Sequence, residues 1–163
     1  MAGDYWNTVG VEGDNPGELT TPPLKYGNRS ASPVQVTLKH IGRLWGWESA
    51  LKDPMYNSYY FSTGSMELSF AGIPAGNYDI YLYGHGDHAE HGIKFQLLAD
   101  NTAIGEKETS TTDEAISGAS WQEGVQYVVF KQVAIKNGGL LGVAIKGLGQ
   151  WTVINGMQII AVK

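Results

Sequence analysis

Apolar and polar residues alternate along most of this chain, and no stretch of about eleven residues carries the 3.6-residue period of an amphipathic helix. Val34, Val36, Leu38 and His40 alternate with Gln35, Thr37 and Lys39. Met66, Leu68 and Phe70 alternate with Glu67 and Ser69, and Ile93, Phe95 and Leu97 with Lys94 and Gln96. Tyr78, Ile80 and Leu82 oppose Asp79, Tyr81 and Tyr83, so this strand turns aromatic on both faces toward its end. Residues 102–107 give a shorter, weaker strand, and residues 127–135, 140–145 and 152–162 give the last three. Within the final run, Asn155-Gly156 fits a bulge or bend in one long strand better than a hairpin, because the arm before it is so short. Period-2 patterning broken by turn residues predicts an all-β, antiparallel β-sandwich of ~8–10 strands.

The connections are unequal. Three are short and carry turn chemistry: Ile73-Pro74-Ala75-Gly76-Asn77, the Asx-type turn Ala99-Asp100-Asn101, and Lys136-Asn137-Gly138-Gly139. Four are elaborated: residues 41–64, 84–92, 108–126 and 147–151. If each strand crosses the sandwich once, the short turns fall at one end and the elaborated loops at the other. This parity depends on the strand at 102–107. Loops held by a rigid scaffold are where binding and catalysis concentrate.

The elaborated end would carry Trp45, Trp47, Tyr56, Tyr59, Tyr60, His85, Asp87, His88, Glu90, His91, Trp121, Gln122, Glu123, Gln150 and Trp151. A flat aromatic ring can cover the C–H face of a sugar while amides, carboxylates and imidazoles bond its hydroxyls. On this reading the ligand-binding residues are Trp45, Trp47, Tyr56, Tyr59, His85, Asp87, His88, Trp121, Gln122 and Trp151. The competing reading makes such rings plugs of the sandwich core. Trp45 and Trp47 share a face if extended, so they form one exposed platform or one buried wedge.

His85, His88 and His91, with Asp87, also invite a zinc reading, but a spacing of three suits no single strand face. Carboxylates for hydrolysis exist at Glu48, Asp53, Asp87, Glu90 and Glu123, without a Gly-x-Ser-x-Gly elbow, a cysteine nucleophile or a phosphate loop. Non-catalytic binding is the expectation.

Composition narrows the classes. The 163 residues suit one domain, residues 1–163, and charged residues make up only 17% with a net charge of −5. With no Lys/Arg cluster, phosphate-driven nucleic-acid binding is not expected, and no apolar run is long enough for a membrane span. The start, Met-Ala-Gly-Asp, has no leader pattern. Abundant Gly (22 residues) with Trp and Tyr suits a turn-rich sandwich rather than disorder.

The segment MELSFAGIPAGNYDIYLYGHGD, Met66 to Asp87, resembles the central hairpin of galactose-binding-like jelly rolls, and Val153-Ile154-Asn155-Gly156-Met157-Gln158-Ile159 resembles their closing strand. Tyr127-Val128-Val129-Phe130 and Gly142-Val143-Ala144-Ile145 match in order and spacing. The likeness covers roughly residues 64–163 and leaves the first third unaligned. It implies a bacterial carbohydrate-binding module: extracellular, attached in one parent chain to a polysaccharide-degrading catalytic domain, with a polysaccharide or oligosaccharide as partner. A protein-interaction module of an adhesin-like surface assembly is the alternative. Some families of this group hold a structural calcium, although no calcium-ligand motif of theirs matches here. Asp4, Glu12, Asp14 and Asn15 could supply oxygens, though no loop spacing singles them out.

Overall fold

The computed structural model describes residues 6–10, 16–46, 58–86, 91–110 and 121–162. Among them the fold is all-β, with twelve strands: β1 (Gly17–Thr20), β2 (Gln35–Ile41), β3 (Arg43–Gly46), β4 (Ser58–Ser62), β5 (Met66–Ala71), β6 (Gly76–Tyr83), β7 (Ile93–Ala99), β8 (Thr102–Glu108), β9 (Tyr127–Ile135), β10 (Leu141–Gly147), β11 (Thr152–Ile154) and β12 (Gly156–Ala161). One layer is a six-stranded antiparallel sheet in the order β1-β2-β5-β10-β7-β8. The other consists of β11-β4-β3 and β12-β6-β9. Only Asn155 separates β11 from β12, so one segment serves both halves, and its backbone N–H donates to the Tyr83 carbonyl at 2.9 Å. The break is the bend that the Asn-Gly pair predicts. From β5 onward the chain repeatedly crosses between layers, as in a jelly roll.

Alternation builds the core. Met66, Leu68 and Phe70 on β5, Ile93, Phe95 and Leu97 on β7, and Leu141, Val143 and Ile145 on β10 are all buried. They face Ile80, Leu82, Val128, Phe130 and Val153 from the second layer in one cluster. Each such side chain contributes about 1.5–3 kcal/mol on leaving water.

Local backbone follows residue chemistry. Asp100 and Asn101 both have positive φ (49° and 61°), the signature of a two-residue I′ hairpin turn, and the Asp100 carboxylate accepts the Leu140 N–H at 2.9 Å. His40 (φ 60°) sits unpaired in the β1–β2 ladder, where Gly17 faces Ile41 and Glu18 faces Lys39. Gln132 (φ 53°) donates its backbone N–H to Asp79 at 2.8 Å, beside the register shift between β6 and β9. These are bulges, and they sharpen the twist.

Two expectations change. Residues 41–64 are not a single loop, because β3 and β4 lie within them and pair antiparallel. β1 was also not anticipated: at four mostly exposed residues it has no alternating apolar set to reveal it. Two added strands leave the parity intact. The register brings the relevant ends together: Lys39 faces Glu67, Ile145 faces Met66, Gly147 faces Ile93, Lys94 faces Glu108 and Tyr83 faces Tyr127. The weak strand at 102–107 is β8, an edge strand exposed along almost its whole length, which explains its faint pattern.

Candidate functional site

At the elaborated end, loop bases are joined by side chains that replace missing ladder bonds. The buried Thr109 hydroxyl donates to the Gly84 carbonyl at 2.7 Å and accepts the Ile93 N–H at 2.8 Å, tying the end of β6 to the start of β7. Asn155 accepts the His85 N–H at 2.9 Å and donates to the Ser58 carbonyl at 3.4 Å. The Gln126 side chain accepts the Gln122 N–H at 2.8 Å. Replacing Thr109 with valine keeps the shape but leaves a buried donor and acceptor unmet. It is expected to lower unfolding stability by about 1–3 kcal/mol, read as a lower urea midpoint with an unchanged slope.

Of the predicted ligand residues, Trp47, Tyr56, Asp87 and His88 lie outside the described residues, as does Glu90. Two others, His85 and Tyr59, are buried. His85 is fully buried, and its Nδ1–H donates to the Gly86 carbonyl at 2.6 Å, which fixes the tautomer. Tyr59 belongs to the core, edge-on to Phe61 at 6.3 Å between centroids, because alternation along β4 turns it inward. The core-plug reading holds for Tyr59, and partly for Trp151, which is half-buried and edge-on to Phe61 at 5.3 Å. Trp45 faces Tyr59 from the edge strand β3 and is 45% exposed. Trp121 is half-buried and Gln122 exposed.

Trp121 does not stand alone. Its ring meets Tyr83 edge-to-face at 5.2 Å and lies 6.4 Å from Tyr127. Tyr127 packs 5.5 Å from Tyr83 and stacks on Tyr81 at 6.0 Å, and Trp6 approaches Tyr83 at 6.5 Å. The Tyr83 hydroxyl donates to Gln158 Oε1 at 2.9 Å. Tyr81 and Tyr83 alternate with the buried Ile80 and Leu82, so they project from the outer face of β6, with Tyr127 and Gln158 facing them from β9 and β12. Apart from Trp121, the sequence reading missed this cluster. Its signal was present: aromatic residues at outward positions of β6, and a tyrosine leading β9. All five rings remain partly exposed.

The electrostatics are mild. Glu123 bonds the Lys107 ammonium at 2.7 Å, and this partner holds its carboxyl below the usual range despite some desolvation. Both ends are exposed, so the pair adds little stability. A lowered carboxyl is the opposite of what a general acid needs. Burial pushes the Tyr60 phenol up; its hydroxyl donates to the Val9 carbonyl at 2.9 Å. Among the described residues, no three His, Cys, Asp or Glu side chains group to hold a metal ion, and no helix is long and apolar enough to cross a membrane. The calcium oxygens considered above, Asp4, Glu12, Asp14 and Asn15, lie outside the described residues.

No family model matches this sequence, and no curated protein matches it. Solved structures do. A GH29 fucosidase from Ruminococcus gnavus aligns over 80% of this chain and 26% of its own, at 9% identity and a TM-score of 0.51. A calcium binding mutant of Bacteroides uniformis beta-glucuronidase 2 aligns over 77% of this chain and 14% of its own, at 13% identity and a TM-score of 0.47. CBM35 from Paenibacillus barcinonensis aligns over 91% of this chain and 96% of its own, at 10% identity and a TM-score of 0.43. The chain thus spans about a quarter of the fucosidase and a smaller share of the glucuronidase. Identities this low speak to fold alone, and the fold is an antiparallel jelly-roll β-sandwich that recurs within a fucosidase.

Proposed function

We propose that this domain is a non-catalytic carbohydrate-binding module, which takes a glycan on the aromatic cluster of Trp121, Tyr83, Tyr127 and Tyr81 and on the loops beside it. The observation that carries this is the cluster itself: half-exposed rings at outward positions of a sheet, next to Gln158 and Gln122. Rings supply apolar area against sugar C–H faces at small entropic cost, and the amides and phenols supply hydroxyl partners. The exposed Trp45 is a second contact on this reading, and Trp47, Tyr56, Asp87 and His88 keep the role that the sequence suggests. The fold likeness to a fucosidase fits a setting in which such a module serves a secreted, polysaccharide-degrading parent chain. The ion-paired Glu123 gives no support to a hydrolytic acid.

The test is affinity electrophoresis and calorimetry against soluble xylan, galactan, mannan and mixed-linkage glucan, on the parent protein and a Trp121→Ala variant. The parent is expected to bind at least one, and loss of the ring to weaken that binding by roughly tenfold or more. Silence toward every glycan, or affinity untouched by the substitution, would sink the proposal.

A further inference from the structure

We infer that the N-terminal segment 6–10 is part of the ligand-contacting surface, with Trp6 as a contact ring and Asn7 as the residue that positions it. The inference rests on the carbohydrate-binding reading above and assigns it two residues that lie far in sequence from β6 and β9.

Trp6 is 41% exposed, yet it is not loose. The segment is tied at three points. Asn7 Nδ2 donates to the Lys25 carbonyl at 2.8 Å, and the Lys25 N–H donates to Asn7 Oδ1 at 2.9 Å. This reciprocal pair copies a rung of a β-ladder with a side-chain amide. Two residues on, the Val9 carbonyl accepts the Tyr60 hydroxyl at 2.9 Å. These bonds hold a short segment whose largest side chain stays partly exposed. Hydrophobic burial alone would favour folding that ring inward. Instead it stands at 74° to Tyr83 with centroids 6.5 Å apart. In a T-shaped pair one ring's edge meets the other's face, so Tyr83 covers at most one face of Trp6. Tyr83 thereby leaves at least one indole face uncovered, and Trp121 and Tyr127 pack on Tyr83 as well. Such a face, fixed in place before the ligand arrives, suits the C–H side of a sugar ring.

The experiment uses the full chain and the four polysaccharides named above. Trp6→Ala, Asn7→Ala, Asn7→Asp and a remote control, Leu140→Ser, are compared with the parent by calorimetry and thermal melting. Trp6→Ala and Asn7→Ala are expected to weaken binding of the recognised polysaccharide by similar amounts, about tenfold, with melting points close to the parent's. Asn7→Asp keeps the acceptor for the Lys25 N–H and should fall between. Bound polysaccharide should shield tryptophan fluorescence from acrylamide less in Trp6→Ala than in the parent. Parent-like affinity of Trp6→Ala beside a weakened Trp121→Ala would overturn this inference and leave the binding reading standing. A loss in Asn7→Ala that comes only with a large fall in melting point would reduce Asn7 to a structural role and overturn its assignment. If the parent binds none of the four, both readings fall together.

Discussion

Replacing Gly147 with alanine is expected to lower stability by about 2–4 kcal/mol and the melting point by roughly 5–15 °C. Gly147 closes β10 and opens the four-residue connection to β11. Its N–H donates to the Thr152 hydroxyl at 2.8 Å, so the chain doubles back tightly. A Cβ there would stand 2.1 Å from the Trp151 carbonyl oxygen, 2.6 Å from its carbon and 3.1 Å from the Thr152 nitrogen. All three are backbone atoms, so no rotamer change relieves the contact. The connection must open, and with it go the Thr152 bond and the seat of Trp151 on Phe61. Gly138 is the matched control: it has φ +70° but nothing within 4 Å of an added Cβ, so alanine there costs only about 1–2 kcal/mol of left-handed strain. Differential scanning calorimetry separates the two, and near-ultraviolet circular dichroism should show Trp151 losing its environment only in Gly147→Ala. Equal melting points for the two variants would contradict the backbone path at 147–152.

How much of this was legible in the sequence depends on burial. Strands with one face in the core declared themselves. Met66, Leu68 and Phe70 alternate because every second side chain must leave water, and the predicted strand at 127–135 coincides with β9. Short or exposed elements were fainter: the exposed edge strand β8 gave only a weak pattern, and the five-residue β4 gave none. β3 is only four residues long, β1 is mostly exposed, and neither carries a periodic apolar set. The division into a short-turn end and an elaborated end could be read from connection lengths, since a missed pair of strands cancels in the crossing count.

The candidate site was harder to read for a physical reason. Aromatic residues in loops look alike whether they cover a core or face solvent, and only packing separates Tyr59, which is core, from Trp45, which is exposed. The imidazole of His85 reads as chemistry in sequence, yet it is buried at the base of its loop with Nδ1 bonded to the Gly86 carbonyl, and its backbone is held by Asn155. Conversely, Tyr81 and Tyr83 read as part of a strand and so drew no attention as ligand contacts. Their outward position follows from the same alternation that buries Ile80 and Leu82. A search for bulky residues at outward strand positions would have found them.

Tyr83 is the hub on which the functional reading turns, and Tyr83→Ala is expected to abolish measurable glycan binding. Trp6, Trp121 and Tyr127 all pack against this one ring, and its hydroxyl bonds Gln158. Its removal takes the support from two tryptophans at once, so the loss should exceed that of either tryptophan variant and should not equal their sum, because the contacts are shared. Stability should also fall, by about 2–3 kcal/mol, the low end for an aromatic truncation because the ring is only half-buried. Tyr83→Phe separates the two functions of the residue. It keeps the ring contacts with Trp6, Trp121 and Tyr127 and removes the bond to Gln158, so a phenylalanine variant should melt near the parent while binding several-fold more weakly if the phenol or the Gln158 amide meets a sugar hydroxyl. Calorimetry on the parent, Tyr83→Phe, Tyr83→Ala and Trp121→Ala at one temperature gives the ordering. Affinity falling from parent through Tyr83→Phe and Trp121→Ala to Tyr83→Ala places the ligand on this sheet face. Full affinity in a folded Tyr83→Ala variant would move the site away from the cluster, toward Trp45 and the opposite edge of the second layer.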